Sequence, residues 1–501
     1  MKKNVVFYVS LLITAVIVLI GLIAPDPFAQ AMNSTKAFLV DTFGWFYLIA
    51  MFVFVVFSLL IAFSRFGKIK LGPDDSVPEY SNKSWFAMLF GAGMGIGLVF
   101  WGVAEPLNHF TTFGGTEEAA NMAMQKSFLH WGFHPWAAYS IIGMALAYFQ
   151  FRKKTPGLIS SIFLPILGEK GVRGPIGKLI DICAVFATVA GIATSLGQGT
   201  LQINSGLNYL FDIPTTRLVQ IIIIVGLTVI YTWTAVSGID KGIKLLSDIN
   251  LYLAIAILVG AFLIGPKIMT LNIFTNSFGG YVNNIISESF SINPFGDNSW
   301  LGSWTIFYWS WWIAWGPFVG TFIARISKGR TIKEFVLGVM IAPSMVSFIW
   351  FSVFGSLGLN LDIGIIKKAK EVTETALFVV FAEYPMGMVF SIIAICLLCT
   401  FFITSANSGI FVLSMFSSEG DLNPGNDKKI LWGVIQALLA LVLLMTGGLD
   451  ALQTCSIVAA LPLTVIMLLC AACLFKALMQ EKNQPDKIPE PPELEKLEAK
   501  L

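Results

Sequence analysis

The chain has 501 residues, of which 56% are hydrophobic and only 12% are charged, about half the charged share of a typical soluble domain. Its mean hydropathy of +0.77 excludes a soluble globular protein, because so few charges cannot cover a surface that faces water. The net charge of +2 and the lack of a long basic run argue against a nucleic-acid partner. The composition therefore predicts an all-α integral membrane protein.

Apolar runs of about 20 residues, the length that crosses a hydrocarbon core of roughly 30 Å, recur along the chain. Twelve of them are predicted to be transmembrane helices, at residues 5–24, 44–64, 84–103, 127–150, 180–203, 216–236, 249–270, 302–325, 334–357, 387–412, 430–447 and 452–477. Residues 271–301 mix apolar and polar side chains too evenly to cross, which indicates an amphipathic segment along the lipid interface. The rest divides into two helices in 1–83, five in 84–270, five in 302–478 and a polar tail in 479–501.

The positive charges predict the orientation. With the N-terminus inside, 25 of the 32 Lys and Arg residues fall in the inner segments, and the positive-inside rule then places both termini in the cytoplasm of a multi-pass cell-membrane protein. Two successive blocks of five helices insert with opposite topology, because five is an odd number of spans. This pattern is typical of transporters built from an inverted repeat.

The third span contains GAGMGIG, Gly91 to Gly97. Each glycine weakens a helix by roughly 1 kcal/mol relative to alanine, so the run favours a helix that breaks at mid-membrane. The amino end of the second half could bind a substrate carboxylate, and freed carbonyls could bind a small cation. The alternative is a close helix crossing through small residues.

Aromatic residues cluster in two further spans. The fourth begins HWGFHPWAAY, with Trp131, Trp136 and Tyr139, and the eighth contains FYWSWWIAWGPF, with four tryptophans between 309 and 315. Rings that face inward from two helices predict a cage for a quaternary ammonium, which is attracted to aromatic faces and donates no hydrogen bond. Bulky packing against lipid is the alternative. Trp304, at the end of its span, is expected to be an interfacial anchor.

The tenth span carries TFFITSANSG, in which Thr404, Ser405, Asn407 and Ser408 crowd polar groups into an apolar helix. They are candidate oxygen ligands for a hard cation, and hydrogen bonds between helices are the alternative. The cysteines and the three histidines form no metal or redox motif, so an enzyme is not expected. A channel would need repeated rings of charge, which are also absent from the sequence.

In combination, GAGMGIGLVFWGVAEP, HWGFHPWAAY and FYWSWWIAWGPFVGTFIARISKGRT resemble the betaine/carnitine/choline transporter family over almost the whole chain. The resemblance implies a leucine-transporter-like 5+5 inverted repeat preceded by two helices, and commonly a homotrimer. The sodium-coupled glycine betaine importers are most similar. The implied function is import of glycine betaine or a related quaternary-ammonium compound, by sodium symport with alternating access. The alternative is a choline or carnitine carrier, either proton-coupled or exchanging substrates. No cofactor is implied beyond sodium as the coupling ion.

The resemblance also assigns residues. The implied substrate contacts are Trp131, Trp136, Tyr139, Trp312 and Trp315, with Gly93, Met94 and Gly95 of the glycine run. The implied sodium ligands are Gly91, Met94, Phe401, Thr404 and Ser405. Thr188 matches the first threonine of a second sodium site, but Ile192 stands at the other threonine, so one sodium per betaine is expected. Asn407 stands where many relatives have Asp.

Overall fold

The protein is described by a computed structural model that covers residues 4–93, 95–237 and 240–481. Within these ranges the regular structure is helical, apart from one antiparallel bridge between Lys70 and Thr331. The helices of seven or more residues are α1 (Val5–Ile23), α2 (Pro25–Phe63), α3 (Asn82–Gly93), α4 (Ile96–Thr112), α5 (Glu117–Trp131), α6 (Phe133–Ala147), α7 (Leu164–Arg173), α8 (Pro175–Phe211), α9 (Arg217–Ser237), α10 (Asp240–Ile264), α11 (Lys267–Ser289), α12 (Phe307–Ile326), α13 (Ile332–Leu359), α14 (Ile363–Glu371), α15 (Ala376–Ala382), α16 (Gly387–Phe416) and α17 (Asn426–Glu481).

Eight helical segments within the described ranges are long and apolar enough to cross a membrane: α1, α2, α8, α9, α13, α16, α17 and residues 245–264 of α10. The predicted third and fourth spans are each made of two shorter helices, and the predicted eleventh and twelfth share α17, which breaks at Gly448 with φ 57°. A continuous helix of 56 residues would be about 84 Å long, far beyond the bilayer core, so this break is required. The count of twelve spans and the inverted repeat stay predictions.

The helix interruption predicted from the glycine run is confirmed. Helix α3 ends at Gly93 and α4 begins at Ile96, with Gly95 extended at φ −148° between them. A second interruption, at Gly132 between α5 and α6, was not predicted. A Cβ at Gly132 would lie 2.6 Å from the carbonyl oxygen of Phe128 and 2.9 Å from the ring of Phe348. Glycine therefore permits the close approach of α13 at this break.

Helix α12 lies at the centre of the molecule. It packs against α6, α8 and α17, and α6 is buried along almost its whole length. Helix α8 is buried from Ala187 to Thr200 without interruption. Helices α6 and α12, which carry the predicted aromatic residues Trp136, Tyr139 and Trp312, are thus buried within the helix bundle.

Helix α11 covers α5 and α13 from outside and accounts for most of the segment predicted to lie at the interface. It begins at Lys267, four residues before the predicted boundary. Its buried residues are polar, whereas Ile268, Leu271 and Ile286 are exposed. The exposed side also carries Asn272, Asn276 and Asn283, so it mixes apolar and polar side chains, and its position along the lipid interface stays a prediction.

Candidate functional site

A cavity of about 510 Å³ lies between α3, α4, α6, α10, α12 and α16. It brings together most of the predicted substrate and sodium residues, which come from distant parts of the chain. Those that line it are Trp131, Trp136, Tyr139, Trp312, Trp315, Gly91, Gly95, Phe401, Thr404 and Ser405. Gly93 is the last residue of α3, and Met94 lies outside the described residues.

The aromatic rings stand nearly perpendicular to each other. Trp131 and Trp312 have ring centroids 4.8 Å apart at 77°, Trp136 and Tyr139 are 5.5 Å apart at 84°, and Tyr139 and Trp312 are 6.3 Å apart at 87°. Neighbouring rings of this set are in edge-to-face contact, and all four line the cavity. We call Trp131, Trp136, Tyr139 and Trp312 the aromatic cage.

Hydrogen bonds hold the indole rings with their N–H groups directed at protein acceptors. Nε1 of Trp131 donates to Oε2 of Glu105 at 2.8 Å, Nε1 of Trp312 to the carbonyl of His130 at 2.9 Å, and Nε1 of Trp315 to the carbonyl of Gly191 at 2.9 Å. Because the polar edge of each indole is satisfied in this way, its electron-rich face is available to a cation.

Behind the cage lies a buried carboxylate that the sequence interpretation missed. Glu105 in α4 is fully buried; its Oε2 accepts from Trp131 Nε1 and, at 2.6 Å, from the hydroxyl of Tyr308. Its Oε1 lies 2.7 Å from Nδ1 of His130 and 3.3 Å from Nε2 of His109. A charged residue inside an apolar helix is a functional candidate, but Glu105 and Pro106 lie just past the end of the third predicted span at residue 103, so the span bounds hid this signal.

Glu105, His109 and His130 also place three potential metal ligands within 4.8 Å of one another. The separation of these residues in the sequence gave no sign of such a cluster. Each carboxylate oxygen of Glu105 already lies within hydrogen-bonding distance of two partners, so the carboxylate is held in a hydrogen-bonded network that fixes the rings of Trp131 and Tyr308. Nδ1 of His109 has no hydrogen-bond partner among the described residues.

Oxygen ligands gather at the other side of the cavity. The hydroxyl of Thr404 accepts from Nδ2 of Asn250 at 2.9 Å, and Ser405 and the glycine run face the same space. Oδ1 of Asn250 is buried without a hydrogen-bond partner among the described residues. An unpaired buried amide oxygen beside a hydroxyl is chemistry that fits a hard cation such as sodium.

Thr188, which the resemblance assigns to a second sodium site that is not expected to work here, does not line the cavity. The Thr188 hydroxyl donates to the carbonyl of Ala184 in its own helix at 2.8 Å. Ile192 is buried, and its Cδ1 would lie 2.3 Å from a Cβ built on Gly409. The side chain of Ile192 therefore fills the space between α8 and α16.

Two further tryptophans pack beside the cage. Trp304, expected to be an interfacial anchor, is half-buried with its ring 4.4 Å from that of His109. Trp311 lines the cavity and stacks on Trp312 at 4.9 Å. The anchor role of Trp304 stays a prediction, because sequence position gives the depth of a side chain but not the residues that it contacts.

The cavity is open at one end. Ala87, Gly91 and Asp248 line it and are exposed, so the opening lies between α3 and the start of α10. At the opposite end Trp131, Trp311 and the Glu105 network are buried. Among the described residues, the exposed part of the cavity lining is therefore found at the end between α3 and α10.

A family model for betaine/carnitine/choline family transporters matches residues 5–483. The chain belongs to this family. It is 50% identical to the glycine betaine transporter OpuD of Bacillus subtilis, over 96% of this chain and 95% of that protein. It is 46% identical to a probable glycine betaine transporter of Desulfitobacterium hafniense, over 96% and 98%. It is 44% identical to an ectoine/hydroxyectoine transporter of Virgibacillus pantothenticus, over 97% and 99%.

Membership of the betaine/carnitine/choline transporter family makes this chain a multi-pass membrane transporter. The resemblance stated from its motifs is confirmed, and these relatives are transporters rather than enzymes. The cavity lies beside the interruption between α3 and α4.

Proposed function

We propose that this protein imports glycine betaine, or a closely related quaternary-ammonium compound, by sodium symport with alternating access. The observation that carries the proposal is the aromatic cage: perpendicular rings that line the cavity, with indole N–H groups bonded to protein acceptors. The names of the relatives favour betaine over choline or carnitine.

The cage suits the trimethylammonium group of the substrate. This group has no N–H to donate, so it gains more from ring faces than from carbonyls. A desolvated cation–π contact contributes up to about 2 kcal/mol, and three or four contacts supply most of the roughly −8 kcal/mol of micromolar binding. The amino end of α4 begins at the cavity with Ile96 and Gly97, and its partial positive charge suits the betaine carboxylate.

Sodium would be bound by oxygens on the other side of the cavity. The Thr404 and Ser405 hydroxyls and the Phe401 carbonyl, facing the carbonyls of the glycine run, form a donor set without a carboxylate. Sodium bound there is close to the substrate, so occupancy of each site favours the other by ordering the interrupted α3–α4 segment.

The open end of the cavity indicates which state of the alternating-access cycle is described. With both termini in the cytoplasm, as the distribution of Lys and Arg favours, the opening between α3 and α10 faces the cytoplasm. The buried Glu105 network then closes the external side. A homotrimer remains the expectation from the family.

Uptake of labelled glycine betaine into proteoliposomes tests the proposal. We expect uptake that requires an inward sodium gradient, stops when the gradient is dissipated and is unaffected by a proton gradient alone. Unlabelled choline, carnitine and ectoine serve as competitors. If one of them competes more strongly than unlabelled betaine, that compound is the preferred substrate. Uptake without sodium would refute the proposed sodium coupling.

A further inference from the structure

One face of α8 carries an unusual row of polar residues. Ser195, Gln198, Gln202 and Ser205 recur every three or four positions, so they lie in one row along the helix. Ser195 lines the cavity, whereas the other three continue from it toward the carboxyl end of α8. From Ser195 to Ser205 the row is about 15 Å long. We call Gln198, Gln202 and Ser205 the polar row.

These residues are buried, with exposed fractions of 0% for Gln198, 1% for Gln202 and 2% for Ser205. Both amide atoms of Gln198, Oε1 of Gln202 and Oγ of Ser205 have no hydrogen-bond partner among the described residues. The Nε2 of Gln202 donates to the carbonyl of Val99 in α4 at 3.2 Å. Buried side-chain amides without partners are costly, and most native proteins hold few of them.

The polar row lies between the cavity and the closed side of the molecule, and this position indicates its function. It runs from the cage away from Asp248 and the open end of the cavity, toward the side that the Glu105 network closes. It also faces α4, through the bond from Gln202 to Val99. When a transporter opens on its second side, the groups that line the new pathway gain partners that they lack in the closed state.

We propose that the polar row forms the wall of the second half of the translocation pathway, which hydrates and guides a zwitterionic substrate between the cage and the closed side. Glutamine N–H groups and a serine hydroxyl can donate to the substrate carboxylate, and their oxygens accept from its hydration water. The trimethylammonium group needs no donor and passes the same wall. This assignment rests on the proposed transport function.

Thiol labelling tests the assignment. In a background whose six native cysteines are replaced by alanine, we would prepare Ser205→Cys and Gln202→Cys, with Ile203→Cys as the matched control. Ile203 lies between them on another face of α8 and is equally buried, at 2% exposure. Ser205→Cys is nearly isosteric, which protects the test if the glutamine variant folds poorly.

The probe is a membrane-impermeant trimethylammonium methanethiosulfonate, added in turn to either face of oriented vesicles. We expect Ser205→Cys and Gln202→Cys to react at least tenfold faster than Ile203→Cys, only from the face at which α8 ends, and more slowly with saturating betaine. Rates equal to that of Ile203→Cys, or reaction only from the opposite face, would overturn the assignment.

Betaine uptake by the unlabelled variants separates the two proposals. Uptake without labelling of the polar row refutes the pathway assignment and leaves the transport function standing. Labelling that betaine does not slow, in vesicles that take up no betaine, refutes the proposed function together with the assignment that rests on it.

Discussion

Trp312 contacts both Trp131 and Tyr139 in the cage, and its indole N–H is bonded to His130. We expect Trp312→Leu to raise the Kd for glycine betaine at least tenfold, because about 2 kcal/mol of cation–π attraction is lost while bulk is largely kept. Calorimetric titration of the purified protein measures this change. Trp233→Leu is the control, since that tryptophan is 62% exposed; equal effects of both variants would contradict the cage.

The Glu105 carboxylate has four hydrogen-bonding partners, whereas glutamine at this position would offer one acceptor oxygen and one amide group. Glu105→Gln would therefore leave donors such as the Tyr308 hydroxyl unpaired, at roughly 1–3 kcal/mol each. We expect betaine affinity to fall at least tenfold, because Trp131 loses the acceptor that fixes its ring.

Binding of labelled betaine in detergent measures this effect apart from transport. Glu169→Gln is the control, because the Glu169 side chain is 70% exposed and pairs only with Arg173. Unchanged affinity in Glu105→Gln would show that the network does not position the cage.

The rings of the cage could be predicted from the sequence because their type and spacing are unusual inside a span. The role of Glu105 could not, since its partners His130, Trp131 and Tyr308 are up to 203 positions away and meet only after α4, α5 and α12 have packed. The orientation of Trp304 toward His109 depends on the same packing.

At the cavity, the start of α4 has no room for added bulk. A Cβ at Gly97 would lie 2.6 Å from the ring of Trp311 and 2.9 Å from that of Trp131, whereas a Cβ at Gly226 in α9, away from the cavity, would meet nothing within 4 Å. We expect Gly97→Ala to reduce betaine uptake more than fivefold and Gly226→Ala to change it less than twofold. Equal uptake by the two proteoliposome preparations would refute this difference.

The interruption between α5 and α6 has its own support from α11. The backbone N–H of Phe133, at the start of α6, donates to the hydroxyl of Tyr281 at 3.0 Å. Tyr281→Phe leaves this buried donor unpaired, which costs roughly 1–3 kcal/mol. We expect a lower apparent Tm by light-scattering thermal unfolding. Tyr252→Phe, at a residue 70% exposed, is expected to leave Tm unchanged. Equal Tm values for Tyr281→Phe and Tyr252→Phe would contradict the capping role of Tyr281.

Most of the long helices were predictable, because hydropathy and length suffice for a single apolar run. The breaks within the helices were harder to predict. The glycine run predicted the break before Ile96, but Gly132 is a lone glycine whose effect depends on Phe348 from α13. Helix α5 begins ten residues before the predicted fourth span, because its first turn, at Glu117, is polar and gives no hydropathy signal.

For the molecule as a whole, the number of sodium sites determines the net charge that crosses the membrane in each transport cycle. Betaine is a zwitterion, so the membrane potential acts only on the sodium ions, at about 2.3 kcal/mol per charge per 100 mV. Thr404 and Ser405 line the cavity, whereas apolar Ile192 stands where a second site needs oxygen. We expect one sodium per betaine and a hyperbolic dependence of uptake on sodium.

The reversal potential of betaine flux, with opposed sodium and betaine gradients across proteoliposomes, measures this ratio. One charge per betaine is the expected value. Ser405→Ala is expected to raise the sodium concentration for half-maximal uptake without changing the ratio. Two charges per betaine would mean that a second ion is bound despite Ile192.

The stack of Trp311 on Trp312 has an optical consequence. Two indoles with centroids 4.9 Å apart and planes within 19° of parallel couple their electronic transitions, so they contribute to the near-ultraviolet circular dichroism a signal from the cavity wall, which both rings line. A substrate that inserts against Trp312, or a movement of α12 that shifts one ring relative to the other, alters that signal. The protein thus carries a built-in chromophore through which turnover can be followed without an attached dye.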